Sequence, residues 1–301
     1  MNRRDFLALT AAAPFALKTL GSKALVTCDT EARLAVVDLA SLRVVHYIPV
    51  APDPRSIELV GEHAVVCHTA VGAVSIIDFS GRVRHVVRGF VEPRYTAAHP
   101  NGRIAFVTDS GHSSVAAVDL LHGRVVRRLR LREWARHITL AGERLWVGLG
   151  SASTDVALVD LELRHAATIT PPFRAHDVGA APDGRVWVTS GTERQIAIYD
   201  GAHVKQLAAD LAPQHVTFAR DVAYVTSGDS GTLRVHRLDG KPLHEAQIPQ
   251  GSYNVQFGQG RVLTPSLERG TLAVAGRSGA LLARIQVADS CHDACFAPGL
   301  T

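Results

Sequence analysis

Short apolar segments with nearly alternating polarity recur along most of the chain, separated by turns rich in Gly, Asp, Asn and Pro. Segments of this kind, enriched in Val, Ile, Leu and aromatic residues, are typical of β-strands. Four segments make one unit, and the second is the clearest: Ala24 to Thr27, Ala64 to Cys67, Ile104 to Thr108, Leu145 to Val147, Val186 to Thr189, Val222 to Thr226 and Val262 to Thr264. The third ends at Asp38, Asp78, Asp119, Asp160, Asp200, Arg237 and Gly276. The pattern predicts an all-β repeat protein.

A pair of polar residues precedes the first segment of each unit. The pairs are Arg55-Ser56, Arg94-Tyr95, Arg136-His137, His176-Asp177, Gln214-His215, Tyr253-Asn254 and His292-Asp293. Their second members, at positions 56, 95, 137, 177, 215, 254 and 293, are 39, 42, 40, 38, 39 and 39 residues apart. A constant period near forty residues indicates a repeat architecture. Seven units of four antiparallel strands predict a seven-bladed β-propeller.

The two ends of the repeat array indicate how the ring closes. The chain enters the array at a second strand, Ala24 to Thr27, and ends on a lone first strand, Asp293 to Phe296. The C-terminal strand is therefore predicted to complete the blade that the N-terminal strand begins. This organisation predicts a single propeller domain over residues 23–301.

The repeats resemble the YVTN family of seven-bladed propellers, which is found in surface-layer and exported bacterial proteins. The resemblance is carried by Tyr224-Val225-Thr226-Ser227 before Gly231-Thr232-Leu233, by Phe106-Val107-Thr108 and Trp187-Val188-Thr189, and by the turns Pro100-Asn101-Gly102-Arg103 and Pro182-Asp183-Gly184-Arg185. It covers essentially all of the chain after residue 23. The resemblance implies the fold and leaves the function open, because the family and its propeller relatives include binding proteins and enzymes.

Residues 1–22 differ from the repeats. Arg3-Arg4-Asp5-Phe6-Leu7 precedes a weakly apolar stretch from Ala8 to Leu17 and then Lys18. This segment resembles a twin-arginine export signal, which implies a periplasmic or extracellular protein; the alternative is an unstructured basic terminus. Twin-arginine substrates are exported already folded, often after they have bound a cofactor.

Composition narrows the classes of partner. Hydrophobic residues make up 47% of the chain and charged residues 20%, and no segment has the roughly 18 uninterrupted apolar residues of a membrane span. The formal net charge is +4, but Arg and Lys are scattered through every repeat and form no dense run. The charge pattern therefore argues against general nucleic-acid binding. We expect a monomer that binds a small molecule or a protein.

The polar pairs are the candidate site. In a four-stranded blade, the start of the innermost strand and the end of the second strand lie at the same end of the ring, so the pairs should surround one mouth of the central channel. We expect a polar funnel above a tightly packed axis, lined by Arg55, Arg94, Tyr95, Arg136, His137, His176, Asp177, Gln214, His215, Tyr253, Asn254, His292 and Asp293.

Three readings of the funnel are open. The arginines could bind a carboxylate or phosphate. Two or more of His137, His176, His215 and His292 could hold a divalent metal. The side chains could instead satisfy backbone groups and one another. Adjacent side chains on a strand point in opposite directions, so His and Asp of one pair should not bind the same metal, and the Asp is expected to hold backbone or a neighbouring blade.

Cysteine positions offer one further expectation. Cys28 follows the second strand of the first unit, and its antiparallel neighbour should be the closing strand near Cys291. A disulfide between these two residues would staple the ring in an oxidising compartment. Two free buried thiols are the alternative.

The favoured function is non-catalytic binding at the channel mouth, because no nucleophile elbow, phosphate loop or dinucleotide fingerprint is present. The alternative is a metal-dependent lyase or lactonase similar to streptogramin lyase. In that case His137 or His215 would move a proton; the pairs contain His but no Glu, which weakens this resemblance. A third reading is a cofactor-handling protein similar to the propellers of haem-dependent nitrite reduction.

Overall fold

A computed structural model describes residues 22–150, 153–297 and 300 of the chain. The twin-arginine-like segment lies outside these residues, except for Ser22. Within the described residues there are 28 strands and no helix, and the strands form seven four-stranded antiparallel sheets. The predicted seven-bladed β-propeller is therefore confirmed. No helix of the described chain is long and apolar enough to cross a membrane.

The strands follow one another in the order that the repeat predicts. Blade 1 contains β1 (Lys23–Cys28), β2 (Arg33–Asp38), β3 (Arg43–Pro49) and the last strand, β28 (Ala294–Phe296). Blade 2 contains β4 (Pro54–Val60), β5 (His63–His68), β6 (Ala73–Asp78) and β7 (Val83–Val87). Blade 3 contains β8 (Pro93–Ala98), β9 (Ile104–Asp109), β10 (Ser114–Asp119) and β11 (Arg124–Arg130).

The remaining blades repeat this arrangement. Blade 4 contains β12 (Ile138–Ala141), β13 (Arg144–Gly148), β14 (Val156–Asp160) and β15 (Ala166–Ile169). Blade 5 contains β16 (Ala175–Ala180), β17 (Val186–Ser190), β18 (Gln195–Asp200) and β19 (His203–Ala208). Blade 6 contains β20 (Gln214–Phe218), β21 (Val222–Ser227), β22 (Thr232–Arg237) and β23 (Pro242–Gln247), and blade 7 contains β24 (Gln256–Gly258), β25 (Arg261–Pro265), β26 (Thr271–Gly276) and β27 (Leu281–Gln286).

The hydrophobic core lies between neighbouring blades. Alternation along each strand gives every sheet two apolar faces, and seven buried clusters occupy the seven interfaces of the ring. Between blades 2 and 3, for example, Val65 and Val74 pack with Val107 and Val118, all fully buried. Each such side chain contributes about 2 kcal/mol by leaving water. The ring therefore depends on every blade having both of its neighbours.

Ring closure follows the predicted pairing. β28 is antiparallel to β1, with Ala24 opposite Phe296, Leu25 opposite Cys295 and Val26 opposite Ala294. The amide of Thr27 donates a hydrogen bond to the carbonyl of Asp293 at 2.9 Å, which extends this ladder toward the channel mouth. The first blade is thus built from both ends of the described chain.

Cys28 and Cys291 lie side by side at this closure, and both are fully buried. The interaction with the Cys291 thiol lowers the pKa of Cys28. Both are free thiols here. Whether they become bonded depends on the redox conditions to which the chain is exposed.

We expect a disulfide-forming oxidant to join Cys28 and Cys291, with loss of two hydrogen atoms, and to stabilise the protein by about 2 kcal/mol because the bond restricts the unfolded chain. The melting temperature should rise by roughly 3 to 4 °C. Intact mass and thermal melts with and without reductant measure both effects. Cys67→Ser should keep the gain and Cys291→Ser should lose it. An unchanged mass in the oxidised wild-type protein would contradict this prediction.

Candidate functional site

Buried threonines at the ends of second strands fix the polar pairs in place. The hydroxyl of Thr189 accepts a hydrogen bond from the amide of Asp177 in its own blade (3.1 Å) and donates one to the carbonyl of Gln214 in the next blade (2.6 Å). Thr27 and Thr108 make the same two contacts between their own blades and the next. Each threonine therefore ties one polar pair to the pair of the neighbouring blade, which sets their spacing around the channel mouth.

The aspartates of the two His-Asp pairs hold backbone amides. Asp177 accepts hydrogen bonds from the amides of Val178 (2.8 Å) and of Val216 in the next blade (3.0 Å). Asp293 accepts from Ala294 (2.8 Å) and from Ile57 in the next blade (3.0 Å). These contacts agree with the backbone-holding role that the sequence predicts for both carboxylates.

Three imidazoles from adjacent blades converge at the mouth. His137, His176 and His215 each present a ring nitrogen, and these three atoms lie within 4.8 Å of one another. Nε2 of His176 lies 3.1 Å from Nε2 of His215. For comparison, two nitrogens bound to one tetrahedral Zn²⁺ at about 2.0 to 2.1 Å are separated by about 3.3 Å. The cluster is thus close to the spacing that a metal ion needs.

His137 has buried polar atoms without partners. The side chain is 2% exposed, and neither ring nitrogen has a hydrogen-bond partner among the described residues. The backbone of His176 lies near the His137 ring and acts to raise the pKa of His137, but it makes no hydrogen bond with either ring nitrogen. The ring packs against the tilted ring of Tyr95, with the centroids 4.0 Å apart. Burying two unpaired nitrogens costs free energy, and a bound metal ion is one group that would satisfy one of them.

Burial favours neutral imidazoles at this position. The pKa of His137 is lowered well below its usual value, chiefly by burial and then by the charges of His176 and His215. Burial, followed by His215 and Arg136, lowers the pKa of His176 in the same direction. A metal ligates the neutral ring, so these two side chains need not lose a proton at neutral pH to bind it.

Asp177 lies beside one member of the cluster, His215. Its Oδ2 lies 3.5 Å from Nδ1 of His215, on the side of the ring opposite the Nε2 that faces His176. A carboxylate on the far nitrogen of a metal-bound histidine orients the ring and fixes its tautomer. Asp177 itself is not one of the converging groups, as the opposite directions of adjacent strand side chains predict.

The fourth predicted histidine lies apart from the cluster. Nδ1 of His292 is 3.2 Å from the side-chain nitrogen of Asn254, which also donates to the His292 carbonyl at 2.9 Å. Burial, followed by the charge of Arg55, lowers the pKa of His292 well below its usual value. Among the described residues, the group that could hold a metal comprises three of the four candidates and excludes His292.

The three arginines have different surroundings. Arg94 pairs with Glu92 at 3.1 Å, and Arg55 pairs with Asp29 at 3.3 Å. Arg136 makes no ion pair with a described residue, and its Nε is buried without a hydrogen-bond partner. Arg55 and Arg136 line the cavity at the mouth, whereas Arg94 does not. Of the three arginines that the sequence places at the funnel, two therefore line this cavity.

The mouth itself is a cavity of about 200 Å³. Its lining residues are Arg55, Tyr95, Arg136, His176, Pro213, His215, Tyr253, Asn254, Leu267 and His292. Gln214 points elsewhere, since its side-chain nitrogen donates to the carbonyl of Asp210 at 2.9 Å. The hydroxyl of Tyr253 donates to Asp229 at 2.6 Å. Most of the predicted funnel residues are thus brought together here.

Below the mouth, the axis is not tightly packed as the sequence led us to expect. A polar cavity of about 90 Å³ lies there, lined in part by Asp177, His215 and Asp293 together with Glu58 and Gln256. Burial raises the pKa of Glu58 to about 7. The sequence alone could have indicated that Glu58 and Gln256 are unusual axis residues. Both stand two residues after a polar pair, where the other units have small or apolar residues or Thr.

Comparison with protein-family models and with curated proteins finds no match for this chain. Among solved structures, the chain is similar to hydrazine synthase of Kuenenia stuttgartiensis, with 14% identity, a TM-score of 0.69, and coverage of 82% of this chain and 90% of that one. It is also similar to a functionally unknown protein from Desulfotomaculum acetoxidans, with 13% identity, a TM-score of 0.74, and coverage of 91% and 98%. At these identities the likeness shows the seven-bladed fold alone, and membership of the YVTN family stays a prediction.

Proposed function

We propose that this chain is an exported binding propeller whose channel mouth holds a divalent transition metal on His137, His176 and His215 and presents it to a ligand. The observation that carries the proposal is His137, a buried ring with two unpaired nitrogens beside two further imidazoles. Three imidazoles suit Zn²⁺, Cu²⁺, Ni²⁺ or Fe²⁺ and leave a coordination position for another group. Export is supported by the twin-arginine-like segment.

Binding is favoured over proton transfer by the positions of the two residues that could move a proton. His137 and His215 both belong to the converging cluster. A ring nitrogen that ligates a metal has no lone pair left to accept a proton from a substrate. The proposal therefore assigns both histidines to the metal.

The test is metal analysis of the full chain, purified without chelator and without a polyhistidine tag. We expect about one metal ion per chain. The variants His137→Ala, His176→Ala and His215→Ala should each lower the affinity for Zn²⁺ at least about tenfold, measured by competition with a chromophoric chelator. Asp177→Asn should weaken binding less, because it removes a group that orients His215 and leaves all three ligands.

Two histidines serve as controls. His203 is exposed on β19, and His203→Ala should bind Zn²⁺ like the wild-type protein. His292→Ala tests the fourth candidate and should also keep the affinity. Wild-type protein that binds no metal at a matched concentration, or three cluster variants that bind as tightly as wild type, would overturn the proposal.

A further inference from the structure

The side chains that line the mouth carry a net positive charge. Two guanidinium groups, those of Arg55 and Arg136, line the cavity. Three imidazoles also line it, those of His176, His215 and His292. Within the part of the chain that the structure describes, no carboxylate lines it. A divalent ion on His137, His176 and His215 would add to this positive potential. A site with this balance attracts anions.

The nearby carboxylates are already committed to other groups. Asp177 and Asp293 hold amides of neighbouring blades. Asp229 accepts a hydrogen bond from the Tyr253 hydroxyl, and Asp29 pairs with Arg55. None of them pairs with Arg136. The guanidinium of Arg136 is therefore the one cation of the lining without an ion-pair partner among the described residues.

The size and the walls of the cavity restrict the anion further. A volume of about 200 Å³ equals roughly seven water molecules at about 30 Å³ each, which suits a small molecule. Pro213, Leu267 and the rings of Tyr95 and Tyr253 add apolar and aromatic surface to the lining. This surface suits a short carbon chain, which inorganic phosphate or sulfate does not have.

We infer that the ligand of the mouth is a small organic carboxylate, held by the guanidinium of Arg136 and by the metal on His137, His176 and His215. The inference rests on the proposed function, since the metal is one of the two anchors. A planar carboxylate can place one oxygen on the metal and the other on the guanidinium fork. Arg55 adds positive charge to the lining, and its pairing with Asp29 weakens this contribution.

The test uses the full chain loaded with Co²⁺, whose visible spectrum changes when a ligand enters its coordination shell. Acetate, succinate and inorganic phosphate are titrated separately at fixed ionic strength. We expect succinate and acetate to change the spectrum with saturation. Arg136→Gln should weaken carboxylate binding about 10- to 100-fold, the range for loss of a charge-assisted hydrogen bond. It should not weaken Co²⁺ binding, because all three histidine ligands stay and a positive charge near His176 is removed.

Arg94→Gln is the matched control, because Arg94 also belongs to a polar pair but is paired with Glu92 and does not line the cavity. It should bind carboxylates like the wild-type protein. A chain that binds no Co²⁺ overturns the proposed function and this inference with it. A chain that binds Co²⁺ but shows no spectral response to either carboxylate, an Arg136→Gln variant with wild-type carboxylate affinity, or phosphate binding tighter than succinate overturns the inference alone.

Discussion

A chain that ends at Asp289 is expected to lose cooperative folding. The missing segment contains β28, which supplies the inner strand of blade 1 and pairs with β1 at three positions. The truncation also removes Cys291 and Ala294 from the hydrophobic cluster between blades 1 and 7, and Cys295 from the cluster between blades 1 and 2. Two of the seven interfaces would open at once, and the inner edge of β1 would be left unpaired.

Thermal melts, near-ultraviolet circular dichroism and size-exclusion chromatography measure this loss. The matched control lacks residues 2–21, which lie outside the described fold, and should melt like the full chain. A synthetic peptide of residues 290–301 added to the truncated chain should restore a cooperative transition, because it can supply β28 in trans. A truncated chain that melts cooperatively near the wild-type temperature would show that the ring does not need this closure.

The repeat pattern predicted the blades because the same sequence of strand and turn residues recurs in all seven units. The third-strand ends at Asp38, Asp78, Asp119, Asp160 and Asp200 agree with the structure residue for residue. An Asp at that point caps the following turn; Asp38, for example, accepts hydrogen bonds from the amides of Ala40 and Ser41. Strand content and turn position are local properties, so they can be predicted from one sequence.

The geometry of the mouth depends on properties that are not local. In blades 2, 3 and 5 the polar pair lies at a register shift of the innermost strand. The shifts fall between Pro54 and Ser56, Pro93 and Thr96, and Ala175 and Val178. A β-bulge re-aims the side chains around it, and strict alternation does not predict it. The selection of three histidines from four likewise depends on distances across blades, which the spacing of pairs in the chain does not contain.

The buried histidines predict a loss of stability in mild acid. His68 is fully buried, with Nδ1 3.2 Å from the carbonyl of Pro52 and Nε2 2.8 Å from the hydroxyl of Ser75. Since a carbonyl only accepts, Nδ1 must carry the proton, and Nε2 accepts from Ser75. Burial lowers the pKa of His68 to about 4, while the backbone of Pro52 and Ala51 and, to a smaller extent, the charge of Asp53 oppose this shift.

The sign of the effect follows from the lowered pKa. The unfolded chain binds a proton at this histidine below about pH 6.5, whereas the folded chain resists until about pH 4. The contribution of neutral His68 to the free energy of unfolding is complete above pH 6.5. It is lost progressively as the pH falls to 4, by about 3 kcal/mol in total. Buried His137 and His236 and partly buried His176 and His292 have lowered pKa values as well and act in the same direction.

The free energy of unfolding, measured by urea titration in chelator between pH 7.5 and pH 4, should therefore fall steeply toward the acid end. His68→Gln cannot be protonated, and its curve should fall by about 3 kcal/mol less than that of the wild-type protein over this range, whatever the variant's stability at pH 7.5. Exposed His203 provides the control, and His203→Gln should follow the wild-type curve. Parallel curves for His68→Gln and wild type would show that His68 does not contribute to acid sensitivity. The chelator matters because it separates this proton linkage from any loss of metal at the mouth.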